Sequence, residues 1–191
     1  RWRAFNTVVR EWVLARWPDA LPPGAHVLDL GCGTGAFLAA LAAREPPLTL
    51  VGLDLTPALL AEARRRAPGA ALVEANADAP PFADGAFDVV CSLNVLHHLC
   101  SAELHAATLA NLCRPGGSVF LCTFAGGTTL ALRMADWWLR RRNAGWRGMS
   151  SPAALDRALA QERRLEVCER GALKAGVWRL QMFHLRRVTR S

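Results

Sequence analysis

The stretch Val-Leu-Asp-Leu-Gly-Cys-Gly-Thr-Gly-Ala-Phe, residues 27–37, constrains this chain more than any other. An apolar run holding one acid, Asp29, gives way to glycines at 31, 33 and 35 and then to a helical pattern. A strand, a glycine turn and a helix in that order open a βαβ unit, and the turn lets the backbone approach a ligand where a side chain would obstruct it. The helix that follows points its free N–H groups at whatever the turn holds. Gly31-x-Gly33-x-x-Ala36 also satisfies the dinucleotide fingerprint, whose third position accepts alanine. At this level a dinucleotide, another adenosine cofactor and a mere packing turn all remain open.

The rest of the chain repeats the alternation. Short β-like runs at 25–30, 48–54, 70–75, 87–93 and 117–123 are interleaved with helical patterns near 35–44, 57–66 and 102–113, which predicts a parallel sheet in an α/β fold. Thr56-Pro57 reads as an N-cap followed by proline at the first helical position. A leading helix is expected over 3–17, with Trp2, Phe5, Val9, Trp12 and Leu14 at amphipathic spacing. Beyond the fifth strand the pattern predicts a helix over 128–142, a loop, a helix from Ser151-Pro152 to about 162, and two closing strands, 165–170 and 177–187, joined through Gly171–Gly176. A length of 191 residues suits one domain. Within it, 18–124 would be the cofactor-binding core, 125–163 an acceptor-facing segment and 164–191 the closing strands. No apolar run reaches the ~18–20 residues of a membrane span, and no signal peptide is visible. The chain opens Arg-Trp-Arg rather than with methionine, which leaves upstream residues open.

Three features decide between the cofactors. Asp29 sits at the carboxyl end of its strand and aims a negative charge into the turn, which repels a pyrophosphate and suits an ammonium group. Asp54 ends the next strand, 23 residues after Gly31, where a carboxylate can accept both ribose hydroxyls. The chain contains no tyrosine, so the Tyr–Lys acid pair of short-chain dehydrogenases is missing. An ammonium, a ribose and no need for phosphate contacts describe S-adenosylmethionine.

With those residues in view, the sequence resembles the class I S-adenosylmethionine-dependent methyltransferases, a Rossmann-like fold with a mostly parallel seven-stranded sheet and an antiparallel C-terminal hairpin. It is most similar to the branch holding the ubiquinone/menaquinone-biosynthesis C-methyltransferases and related small-molecule enzymes. The likeness covers about 25–124 in four ordered blocks, at 27–35, 51–60, 74–90 and 112–121. It implies that Gly31, Cys32, Gly33 and Gly35 wrap the methionine part, that Asp29 orients its amine, and that Asp54 binds the ribose with Leu55 packed on adenine. Asn76 and Ala77 fall where the family often has Asp-Ala, with the polar side chain near the adenine amine; Asp78 is the substitute candidate. Leu93 and Asn94 are expected beside the methyl-donor sulfonium. Arg114-Pro115-Gly116-Gly117 reads as a tight turn from helix into strand.

Asn-Val-Leu-His-His-Leu, 94–99, is the nearest approach to a catalytic motif. Imidazole titrates near neutrality, so His97 or His98 could deprotonate or hold an acceptor hydroxyl; alternatively one is packed and the other exposed. Adjacent histidines with no carboxylate or thiolate cluster do not make a metal site. The six cysteines show no C-x-x-C spacing and read as reduced thiols of a cytoplasmic protein. Charge is uneven: residues 1–127 carry nine Arg against eleven acids, whereas 128–191 carry thirteen Arg and Lys174 against five. Trp137, Trp138, Arg140, Arg141, Arg142, Trp146 and Arg147 suggest an acidic or amphiphilic small acceptor and an anionic membrane surface, unless the tryptophans pack inward and the arginines are merely solvated. The Asn-Pro-Pro-Tyr motif of base-modifying methyltransferases is replaced by Ser-Leu-Asn-Val, which argues against a nucleic-acid acceptor without excluding one. A non-catalytic cofactor-binding subunit, an RNA methyltransferase and a nicotinamide dehydrogenase are the rival readings.

Overall fold

A computed structural model describes residues 2–44, 46–126, 130–143, 145–175 and 178–189. In chain order the elements are α1 (Trp2–Leu14), β1 (His26–Leu30), α2 (Ala36–Ala42), β2 (Thr49–Asp54), α3 (Pro57–Arg66), β3 (Ala71–Glu74) and β4 (Phe87–Leu93). A single 3₁₀ turn, Leu96–His98, leads to α4 (Ala102–Leu112), β5 (Cys113–Phe124), α5 (Leu130–Arg142), α6 (Pro152–Gln161), β6 (Leu165–Ala175) and β7 (Trp178–Arg187). The seven strands form one sheet in the order β3-β2-β1-β4-β5-β7-β6. The first five are parallel, and β7 runs antiparallel to both β5 and β6. Strand order reverses between β1 and β4, so the crevice beyond their carboxyl ends is where this topology places a ligand.

Period-two alternation distributes the core over both faces. Leu28 and Leu30 of β1 join Val90, Val119 and Leu121 under α4 and α6. Val27, Val89, Cys91, Phe120 and Cys122 face the other way, against Val9 and Val13 of α1 and Phe37, Leu38 and Leu41 of α2. Asp29 shares its parity with Val27, so its carboxylate is directed into that second apolar layer.

Several expected features differ in detail. The leading helix ends at Leu14, and the side chains of Trp2 and Phe5 lie outside the described residues. Thr56 stands at the N-cap of α3 but makes no side-chain cap bond; its amide instead donates to Asp54 Oδ1 at 2.9 Å. Ser101 and Ser151 do cap, accepting from Leu104 and Ala154. Arg114–Gly117 is an excursion within β5: Cys113 pairs with Phe87 and Ser118 with Val89, with Gly116 at φ 79°. Gly171 is no turn residue. It pairs with Met182 inside β6, and a Cβ there would come within 2.6 Å of Trp12 Nε1, so its lack of a side chain admits α1. Residues 128, 129, 176 and 177 of the expected elements lie outside the described residues.

Candidate active site

A cavity of about 750 Å³ opens at the carboxyl edge of β1 and β4. It takes in Asp29, Gly31, Cys32 and Gly33 from the first strand and its turn, and Leu93 and Asn94 from the end of β4. Gly31 (φ 80°), Gly33 (φ 53°) and Gly35 (φ 71°) are all left-handed, a region that side chains disfavour. Their surroundings differ. A Cβ on Gly31 would overlap the Val95 side chain, and one on Gly35 would come within 2.9 Å of Ala63 in α3, whereas nothing lies within 4 Å of the corresponding point at Gly33. Gly31 and Gly35 therefore serve packing, and Gly33 leaves open space where a ligand can lie.

Asp54 organises the turn. Its Oδ2 accepts from Gly33 N at 2.9 Å and its Oδ1 from Thr56 N, so one carboxylate clamps the glycine loop to the end of β2. Asp29 is only 3% exposed, and its carboxyl is pushed up to about 7, first by burial and second by the negative charge of Asp54. Among the described residues no ion pair compensates it. Cys32 lies beside it with a thiol raised to about 12 by burial and by both carboxylates, so it is no nucleophile.

Asn94 is the one non-glycine residue at positive φ among those described (63°). Its Nδ2 donates to Asn6 Oδ1 at 3.3 Å, while its own Oδ1 is buried without a partner. Strained backbone and an orphaned acceptor at the mouth of a cavity mark a ligand-facing position.

Of the predicted cofactor contacts, Gly35, Asp54, Leu55, Asn76 and Ala77 lie beyond the cavity lining. Leu55 is exposed at 64%, a large apolar side chain in solvent next to Asp54. Asn76 Oδ1 accepts from Asp78 N, and Ala77 is buried. Asp78 is engaged elsewhere, accepting from Cys100 N and Sγ. His97 and His98 also stand outside the cavity. His97 is buried between Trp146 (centroids 4.3 Å), Phe124 (5.3 Å) and His98 (4.1 Å), and burial followed by the neighbouring His98 lowers it to about 3. His98 is exposed, with Nδ1 2.7 Å from Gly145 O; a neutral ring donating there leaves Nε2 as the acceptor.

Sequence reasoning singled out as site residues none of the α1 residues that wall the cavity, Asn6, Thr7, Val9 and Arg10. Asn6 and Arg10 are four residues apart and so share a helix face, which was the available signal. It also missed Arg66, which lines the cavity and bridges Thr34 Oγ1 (2.8 Å) and Glu62 Oε1 (2.6 Å). Among the described residues no group of three His, Cys, Asp or Glu side chains could hold a metal.

The methyltransferase-domain family matches residues 28–121, which contain this turn, Asp54 and the end of β4. That matched segment is a methyltransferase domain. Trans-aconitate 2-methyltransferase of Methylobacterium nodulans is 40% identical over 129 residues, 65% of this chain and 43% of that enzyme. Demethylmenaquinone methyltransferase of Beutenbergia cavernae is 36% identical over 103 residues, 54% of this chain and 42% of the relative. These alignments span somewhat under half the length of both methyltransferases. A putative methyltransferase of Bacillus halodurans superposes with a TM-score of 0.79 at 16% identity, over 94% of this chain and 99% of its own, which shows the shared fold.

Proposed function

We propose that this methyltransferase chain carries a methyl group from S-adenosylmethionine to a small acidic or amphiphilic acceptor. The observation that carries the reading is Asp29, a buried carboxylate without an ion-pair partner among the described residues, at the base of a glycine-lined cavity. Such a group calls for a cation, and the cofactor's amino-acid end supplies one in its ammonium. Gly33 offers open space beside it, and the orphaned Asn94 Oδ1 offers an acceptor across it. Arg10 lines the same cavity and gives a counter-charge for the carboxylate at that end.

S-adenosylmethionine supplies an electrophilic methyl on a sulfonium. The chain's part is to position it. Asp54 keeps lone pairs for the ribose hydroxyls beyond the two amides it already accepts. Leu55 gives adenine an apolar face, and Asn76, with Asp78 second, supplies polarity at its edge. Leu93 and Asn94 border the sulfonium, and alignment of acceptor and methyl is the main source of rate. Where the acceptor must lose a proton, His98 is the accessible imidazole, since His97 is buried and, with its pKa lowered to about 3, a weak proton acceptor. The two curated relatives act, by their names, on a polycarboxylate and a quinone, and the arginine-rich last third of this chain suits an acceptor of either character. Six cysteines present as free thiols suit a reducing, cytoplasmic setting.

Calorimetry with S-adenosylhomocysteine, S-adenosylmethionine and NAD tests the reading. Micromolar binding of the first two and none of NAD is expected; NAD affinity without S-adenosylhomocysteine heat would sink it. Product mass spectrometry over cell-extract acceptors then separates an active enzyme from a silent binding subunit.

A further inference from the structure

Helix α5 turns the wrong side outward for a helix that only packs. Leu132 is buried and Leu139 half-buried against the protein, whereas Leu130, Met134, Trp137 and Trp138 are exposed, the tryptophans at 53% and 50%. At 3.6 residues per turn these four side chains span an arc of about 100°. Arg133 and Arg142 lie about 40° beyond its two edges. Arg141 sits within the arc, its guanidinium 4.2 Å over the Trp137 ring, and Arg142 lies 5.0 Å over Trp138. The only acid of the helix, Asp136, is turned away and fully used: it accepts from Arg140 Nε, Trp146 Nε1 and Met149 N, which pins the following loop beneath the helix. Trp146, expected with the exposed aromatics, is buried by that arrangement.

We infer that this face docks the protein on an anionic lipid bilayer, with Trp137 and Trp138 at the headgroup level and Arg133, Arg141 and Arg142 on lipid phosphates. An apolar stripe with tryptophan, flanked by arginine and free of acids, matches the interfacial region in both polarity and charge. A two-fold contact with a second copy would instead bring the arginine rows against themselves. Because β4 and β5 are parallel, with Leu93 opposite Cys122, α5 follows the strand end that borders the cavity edge. Docking would thus hold the active-site edge near lipid-borne acceptors. The inference goes beyond the methyl-transfer reading and stands whether or not that reading does.

The test is co-sedimentation of the 191-residue chain with phosphatidylcholine vesicles, with and without phosphatidylglycerol, across a salt series. Binding to the anionic vesicles that weakens with salt is expected, with little on the neutral ones. Trp137→Ser with Trp138→Ser should lower partitioning at least tenfold, and Arg133, Arg141 and Arg142 changed together to Gln by up to roughly a hundredfold at low salt. Arg140 is left alone because it holds Asp136. S-adenosylhomocysteine calorimetry on each variant reports the fold and the cofactor site separately. Absence of partitioning to anionic vesicles, partitioning unchanged in both variants, or a dimer that dissociates in the tryptophan variant while vesicle binding is nil would each overturn the inference. So would capture by an acidic carrier protein in place of vesicles.

Discussion

Changing Asp29 to Asn keeps the shape of the side chain and removes its charge, and the consequences for stability and for binding have opposite signs. In the free protein the carboxyl sits near 7 against 3.8 for the ordinary group, chiefly because it is buried and secondarily because Asp54 is near. At about 1.4 kcal/mol per unit, the difference puts an upper figure of roughly 4 kcal/mol on the penalty of ionising it in place. A group raised on folding favours the folded state at low pH. That contribution is full below about 3.8, declines as pH rises towards 7, and is gone above it. Asp29→Asn should therefore flatten this part of the stability profile and, at pH 8, raise Tm by roughly 5–15 °C, the shift expected of about 2–4 kcal/mol in a chain of this size. Binding runs the other way. The cofactor's ammonium needs the carboxylate, so wild-type affinity for S-adenosylhomocysteine should be roughly thirtyfold weaker at pH 5.5 than at pH 8, following the ionised fraction. The variant should be about thirtyfold to a thousandfold weaker than wild type at pH 8 and nearly independent of pH. Thermal melts and calorimetry at both pH values, in buffers of different ionisation heat, measure all of this. A variant that melts where wild type does, at every pH, and binds with the same affinity would refute the assignment of Asp29.

Asp54→Ala should weaken S-adenosylhomocysteine binding by roughly 1.5–3 kcal/mol, through lost ribose bonds and a loosened Gly33 amide, while Asp84→Ala, exposed in the turn before β4, should stay near wild type by calorimetry; equal losses would mean the ribose lies elsewhere. Gly31→Ala should cost about 2–4 kcal/mol of stability in a denaturant titration, from positive φ and overlap with Val95. Gly33→Ala should cost only about 1–2 kcal/mol there yet lose cofactor affinity, so the reverse ranking would contradict the roles given to the two glycines. Once an acceptor is known, His98→Ala should lower kcat about a hundredfold or more with cofactor affinity unchanged, whereas His97→Ala should chiefly lower Tm; full turnover in the His98 variant would remove its role as base.

What could be read in advance was whatever a contiguous segment dictates. The alternation of 27–54 sets β1, the glycine turn, α2 and β2 without help from the rest of the chain, and Asp29 and Asp54 follow as the residues at the two strand ends. Boundaries failed where a distant contact decides the local structure. Gly171 looks like a turn residue until Trp12, 159 residues away, is seen against it, whereas the Thr56-Pro57 start of α3, set by neighbouring residues alone, stands where the sequence puts it. The α1 side of the cavity failed for the same reason: Asn6 and Arg10 are ordinary surface residues until packing of Val9 and Val13 brings them over the glycine turn.

Helix α5 exposes a deeper limit of periodicity. Amphipathic spacing identifies a helix by assuming that one face is apolar and that this face is the buried one. Here two faces are apolar, and the narrower one, Leu132 and Leu139, lies against the protein, while the wider one with both tryptophans is turned to solvent. The choice between them comes from Asp136. A carboxylate on the inner side collects Trp146 Nε1 and the Met149 amide, two groups that would otherwise lack a buried acceptor, and this fixes the helix's rotation about its axis. Removing that acceptor would free the helix to roll its tryptophans inward. The same contact that anchors the loop over His97 therefore presents the outer face, so the positioning of the His-His segment and the exposure of Trp137 and Trp138 are two consequences of one carboxylate.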